Sequence, residues 1–303
     1  MNPNVDNLYA GLAGATLVRD HFDLGRDVIV SRTYAHFMAP FLMAFSPASP
    51  GKPHPAPWKP ARGGLGIDIT AELSLPATTR LEHIDHLNAI WWIVALLRLK
   101  ATSSLFVPVI SNERFASIPI VEQEPELMPI EIYPRLFASD RSANSAVTFE
   151  DLQWLADNWE ASSKLLRNED FNVAFQAVDS SLWNASPALA LVSVWGALER
   201  LFSFSTQELS FRVSAHIAAY LEMPGRGRHK CFEHVKGLYN HRSKAAHGSV
   251  AKDALTAYQE TFAIARRVLL RMIESRKVPD KRELEANLFG DPFWIDDVGA
   301  TAH

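Results

Sequence analysis

One cysteine, Cys231, in 303 residues leaves no partner for an intramolecular disulfide and excludes a zinc cluster built on several thiolates. That scarcity fits a reducing compartment. Long apolar runs are also missing: the longest, Ala89 to Leu97, has nine residues, whereas a spanning helix needs about 20. The start, MNPNVDNLYAG, has neither the basic residues nor the apolar stretch of a signal peptide. No dinucleotide-binding fingerprint and no P-loop occurs in the first half of the chain. Glycine and proline, at 14 and 18 residues, are too few for a collagen-like or low-complexity chain, and 48% hydrophobic with 21% charged residues is ordinary globular composition. The expectation is a soluble, cytoplasmic protein with no membrane partner, and the length favours two domains.

The formal net charge of −4 conceals an asymmetry. Residues 195 to 282 hold 16 Lys+Arg against 8 Asp+Glu, a balance of +8, which leaves −12 for the remainder. A basic module beside an acidic one suits an anionic ligand, nucleic acid being the commonest large one. Two oppositely charged domains docking on each other explain it equally well.

Between Ser46 and Gly66 the segment SPASPGKPHPAPWKPARGGLG carries six prolines and four glycines, a composition that predicts a surface loop and forbids a helix or a central strand. The piece IDITAELSLP that follows reads as a strand. Thr79 and Glu82 match a capping box opening the apolar helix TRLEHIDHLNAIWWIVALLRLK. The runs SLFVPVISN, ASIPIV and PIEIYP then read as short strands, so residues 1–147 form a mixed α+β domain. From Thr148 the pattern turns helical, with start signals at Thr148, at Ser186-Pro187 and at a Ser205-to-Glu208 capping box. The last strong helix places Leu255, Tyr258, Phe262, Leu269, Met272 and Ile273 on one stripe, largely apart from Arg266, Arg267 and Arg271. The expected organisation is therefore an α+β domain over 1–147, an all-α antiparallel helical bundle over 148–278 and a tail over 279–303.

Local chemistry offers few sites. His83, Asp85 and His86 lie close on a predicted helix, but no matching further ligand stands near them and no metal site is assigned; no cofactor is expected. Cys231, between His229 and His234, reads as a small residue on a half-buried helix rather than as a nucleophile. The loop PGRGRHK places Arg226, Arg228 and Lys230 just ahead of a helix start, where free N–H groups favour anions, so these three are candidate phosphate or RNA contacts. A solvated turn accounts for the same residues.

The richest stretch is LYNHRSKAAHG, Leu238 to Gly248. Cations in a last turn followed by glycine also make an ordinary helix stop. Yet Arg242 and His247 form R-x4-H within Tyr239-Asn240-His241-Arg242-Ser243-Lys244, with Gly248 after the histidine, and upstream Trp195-Gly196-Ala197-Leu198-Glu199 supplies W-x-x-L-E. Together these strings resemble the signature of HEPN domains, in particular the Apea-like branch with its RSK-x-x-HG form. The resemblance spans about residues 165 to 278 and leaves the first 150 residues and the tail outside it.

What the resemblance implies is a helical bundle that dimerises and acts as a metal-independent endoribonuclease, with the R-x4-H elements of two protomers facing one cleft. Arg242 and His247 would then be the catalytic pair. Imidazole titrates near neutral pH and can take the proton of a ribose 2′-OH, while a guanidinium stabilises the charge that develops on phosphorus. Glu199, Asn240, Ser243 and Lys244 are the implied supporting residues, each of which can equally serve as a cap or an ion-pair partner. Other HEPN domains serve as non-catalytic nucleotide-binding or dimerising scaffolds, and that alternative stands beside the nuclease. Implied partners are RNA or a nucleotide, a second copy in a homodimer, and an antitoxin or phage-derived trigger in a defence or toxin-antitoxin system, with the N-terminal domain as sensor.

Overall fold

Leu8, Ala10 and Leu12, alternate residues of β1 (Leu8–Ala13), are buried, and so are Gly11 and Ala13 between them, which is the burial of a strand covered on both faces. The structure is a computed structural model that describes residues 7–132, 146–204, 208–246 and 253–289. In it β1 lies inside an antiparallel six-stranded sheet with β3 (His21–Asp23), β4 (Ile29–Ala44), β5 (Trp58–Leu75), β6 (Phe106–Ser111) and β7 (Leu127–Pro129), in the order β3-β4-β5-β1-β6-β7. A second, parallel pair joins β2 (Thr16–Leu17) to β8 (Ala146–Val147). Gly14 makes the turn out of β1 at φ +79°, and a Cβ there would meet the Ser104 carbonyl at 2.1 Å, so only glycine fits.

The expected loop from Ser46 to Gly66 is only partly a loop. Residues from Trp58 onward belong to β5, and β4 and β5 pair from Ile29↔Ser74 out to Ala44↔Trp58, forming a long two-stranded arm. Proline is tolerated there because both strands of the arm are edge strands outside the sheet, so Pro40 and Pro60 take no donor from an inner ladder. ASIPIV contains no strand; residues 116–120 form turns, and strand pairing resumes only at β7. The last residues of PIEIYP lie outside the described residues.

The first long helix, α1 (His86–Lys100), begins seven residues after Thr79. Asp85 is its N-cap, its carboxylate accepting from the Asn88 backbone N–H at 2.8 Å and from the Asn88 side chain at 2.7 Å. Thr79 instead donates to the Arg26 carbonyl at 2.8 Å, and Glu82 pairs with Arg167 at 2.7 Å. Tertiary partners thus take both residues of the expected capping box. Almost every residue of α1 from Ala89 to Leu99 is buried, including Arg98, which is held by Glu131 at 3.0 Å and Asp179 at 3.5 Å. A helix apolar on all sides must be surrounded, and α1 packs against β6, α2 (Phe149–Asn158) and α7 (Ala254–Ser275).

The helical half begins where the sequence placed it: Thr148 and Asp151 form a reciprocal capping box at α2. A 3-10 stretch, Ala161–Arg167, leads to α3 (Glu169–Ser181), followed by α4 (Pro187–Phe202), α5 (Leu209–Leu221), α6 (Arg226–Ala246), α7 and α8 (Lys281–Phe289). Ser186 caps α4 and Pro187 fills its first turn. At α5 the expected box is not seen: Ser205 lies outside the described residues, and Glu208 holds the N-cap position at φ 50° without a side-chain cap bond. On α7, Leu255 is exposed, while Tyr258, Leu269, Met272 and Ile273 are buried as the stripe required. Part of the segment expected as a tail is α8, which docks Leu284 against the bundle and packs on α5.

One contiguous apolar core runs from β1, β4 and β5 through α1 into the bundle helices. Two indoles stitch it: Trp92 donates to the Trp159 carbonyl and Trp159 to the Leu24 carbonyl, both at 2.8 Å. Arg266 on α7 donates to the carbonyls of Leu99 and Lys100, closing the C-terminal end of α1. Among the described residues no helix is long and apolar enough to cross a membrane.

Candidate functional site

The site is built where α4 and α6 pack together inside the bundle. On α4, Trp195 and Leu198 are buried at the spacing that faces them inward, and Glu199, four residues after Trp195, follows on the same side. On α6, Val235, Leu238 and Tyr239 are buried, and Arg242, three residues after Tyr239, sits one turn further along that face. The two strings W-x-x-L-E and Y-N-H-R-S-K, 40 residues apart in the chain, are thereby brought into contact.

The contact is specific. Arg242 Nη2 donates to Glu199 Oε2 at 3.1 Å, with side chains 27% and 18% exposed respectively. Its guanidinium carbon lies 5.6 Å from the centre of the Tyr239 ring, within cation–π range. Tyr239 in turn meets Trp195 edge-on at 5.0 Å. Burial first, and the neighbouring Glu199 carboxylate second, push the Tyr239 phenol up to about 12. The result is a half-buried carboxylate–guanidinium pair beside the Tyr239 ring, which Trp195 backs edge-on.

Three buried polar atoms in this cluster have no hydrogen-bond partner among the described residues: Trp195 Nε1, Glu199 Oε1 and Arg242 Nε. Buried donors and acceptors are nearly always satisfied, and leaving one open costs about 1–3 kcal/mol. Arg242 is held on one side by Glu199 while its side chain stays 27% exposed, so its charge is partly offset without being closed off from solvent.

The remaining sequence-predicted residues divide. Asn240 and Lys244 are exposed on α6, four residues apart on one face, and Ser243 is half-buried beside Arg242. His247 and Gly248 lie outside the described residues. Arg226, Arg228 and Lys230 are not in a loop: α6 begins at Arg226 and takes all three into its first turns. Arg228 is committed to structure, donating to the Glu222 carbonyl and to the Asn287 carbonyl at 2.9 Å each, which ties α5 and α8 to α6. Arg226 and Lys230 are exposed.

Away from this cluster, Cys231 is buried and burial pushes its thiol up, against a nucleophilic role. His86 is buried with Nε2 3.0 Å from the Pro76 carbonyl, Asp85 is a helix cap, and His83 meets Glu82 at 3.1 Å, so the three are not gathered on one point. Among the described residues no three His, Cys, Asp or Glu side chains form a group that could hold a metal ion. A pocket of about 270 Å³ between α5 and α8 is lined by Phe204, Phe211, His216 and Phe289 and contains none of the predicted residues. Sequence reasoning overlooked Tyr239 as a site residue, although its place three residues before Arg242 was the available signal. No family model, no curated protein and no solved structure matches this chain.

Proposed function

We propose that the protein is a metal-independent endoribonuclease of HEPN type, with Arg242 and His247 as the catalytic pair and Glu199 as the residue that positions Arg242. The observation that carries this reading is the Glu199–Arg242 pair at 3.1 Å, surrounded by Trp195 Nε1, Glu199 Oε1 and Arg242 Nε, all buried and unpartnered among the described residues. The pair fixes the Arg242 guanidinium while the side chain keeps 27% of its surface exposed, which in this reading is where a phosphate meets it. In this reading Arg242 stabilises the negative charge that develops on phosphorus, and His247 accepts the proton of the attacking 2′-OH. The oxygen–phosphorus bond to the 5′ oxygen of the next nucleotide breaks, leaving a 2′,3′-cyclic phosphate and a 5′-OH. DNA lacks the nucleophile and is not cut. Asn240, Ser243 and Lys244 belong to the approach of the RNA backbone, with Arg226 and Lys230 as outlying contacts. The same reading places the protein in a defence or toxin system, its N-terminal half sensing a trigger.

A second reading is favoured by the half-buried state of Arg242: a guanidinium committed to Glu199 and stacked near Tyr239 suits a non-catalytic nucleotide-binding or scaffold module. One experiment separates the two. End-labelled single-stranded and structured RNA is incubated with the full chain in EDTA, comparing wild type with Arg242→Ala and His247→Ala. The nuclease reading expects cyclic-phosphate ends and a rate loss of about 100-fold or more in each variant. Products with 3′-OH ends, or cleavage surviving both substitutions, would remove it. Nucleotide or RNA binding lost in Arg242→Ala with no cleavage by any form would establish the scaffold.

A further inference from the structure

Beyond Asp68 the paired strands β4 and β5 leave the sheet, and the eight strand positions from Phe37 to Ala44 extend the arm by about 25 Å at the usual rise per residue. A two-stranded ribbon is marginal in water without a covered face. This one is apolar on both: Met38 is 66% and Trp58 57% exposed, and Phe41, Leu42, Met43 and Phe45 are exposed as well. The Phe41 ring lies against Gly63, where an added Cβ would come within 3.1 Å of it, and its other side is left to solvent. Residues 37–67 include Lys52, Lys59 and Arg62 and not one Asp or Glu. The arm therefore presents large apolar side chains on a ribbon of purely positive charge.

Its backbone edges are blunted. Pro40 stands on one strand and Pro60 on the other, Lys59 and Arg62 flank Pro60, and the pairing shifts register after Pro40. Proline, lysine and a bulge are what discourages strand addition. The occupant therefore approaches a face of the ribbon rather than its edges.

A complementary surface exists on the same chain, at the far end of the sheet. Around β7, Ile120 is 82% exposed, Leu127 and Ile130 are exposed, and Glu122 and Glu124 are exposed beside them. Residues 121–131 contain four Glu and no Lys or Arg, and three of these, Glu122, Glu124 and Glu126, are exposed, Glu131 being turned onto Arg98. The small second core of Ile69, Val109 and Phe115, with Phe37 and Ile118 packed on it, lies at the root of the arm and joins the arm's apolar face to the start of this acidic segment.

We infer that the β4–β5 arm docks on a second copy of this chain, each arm seating against the acidic, apolar rim around β7 of the other. Opposite charge brings arm and rim together, and the exposed Met38, Phe41, Leu42 and Trp58 then bury against Ile120, Leu127 and Ile130. A reciprocal exchange covers both patches of both copies and closes as a two-fold dimer. RNA or an anionic bilayer would match the arm's charge but leave the apolar rim uncovered and its carboxylates repelled.

The test is a charge swap read by light scattering on the full chain. One form carries Lys59→Glu with Arg62→Glu, the other Glu122→Lys with Glu124→Lys; all four side chains are exposed, and circular dichroism checks that each form folds. Wild type is expected to dimerise. Each swapped form alone should self-associate at least about tenfold more weakly, since like charges then face each other. An equimolar mixture should recover association as a heterodimer, because both arm–rim contacts are again opposite in sign. The inference is overturned if wild type is monomeric, if dimerisation is indifferent to both swaps, as a dimer through the helical bundle would be, or if the mixture fails to recover. Arm-dependent binding of RNA or of phosphatidylglycerol vesicles by a monomeric chain would overturn it in favour of that occupant.

Discussion

At the scale of single residues, Tyr239 is the most informative side chain near the candidate site. Its phenol is raised from 10.0 to about 12, chiefly by burial, so the folded state favours the neutral form. A group raised on folding contributes its full stability below its unfolded value and loses it as the pH climbs through the folded one. Wild type should therefore lose stability between pH 10 and about 12, and Tyr239→Phe should lose less over that window, as followed by denaturant unfolding. Absorbance titration of the variant should lack one late-ionising phenol, with Tyr220, also pushed up by burial, remaining. A variant with the wild-type slope would refute the assignment. Of the site itself, Arg242 and Glu199 were legible as members of the R-x4-H and W-x-x-L-E strings that carry the resemblance, and not from their helical spacing. What the sequence did not display is that Glu199 meets Arg242 rather than another cation, since that depends on the crossing of α4 and α6.

At the scale of elements, helix starts were legible wherever a short polar side chain had no competing tertiary partner. Thr148 and Ser186 cap as their spacing predicts. Thr79 has the same chemistry but faces the Arg26 carbonyl, and the cap passes to Asp85. The consequence can be measured. Asp85→Ala should destabilise the protein by about 1 kcal/mol through the loss of the cap. Thr79→Ala should leave the helix content unchanged, and a loss of helical ellipticity in that variant would place the helix start upstream of Asp85. The same logic explains the loop in which Arg226, Arg228 and Lys230 were expected. Gly225 at φ +139° ends the turn, and the helix takes in the basic run because Arg228 gains two carbonyl partners there.

At the scale of the whole molecule, the contiguous core from β1 to α8 predicts that sheet and bundle unfold as one cooperative unit. Calorimetry should show a single transition, and Trp159→Ala, which removes a buried indole bonded to Leu24, should lower it by about 3–5 kcal/mol without splitting it. Two separable transitions would mean that residues 1–147 and the bundle fold independently. By itself the sequence determined the class of each half, a mixed α+β half and then helices, because hydrophobic periods of 2 and 3.6 are written locally. Only the tertiary structure decided that Ser46 to Gly66 is partly an arm, that Thr79 and Glu82 serve other partners, and that Glu199 and Arg242 meet. These outcomes rest on contacts between residues far apart in the chain, and local propensity carries no information about which distant group will compete for a donor or a carboxylate.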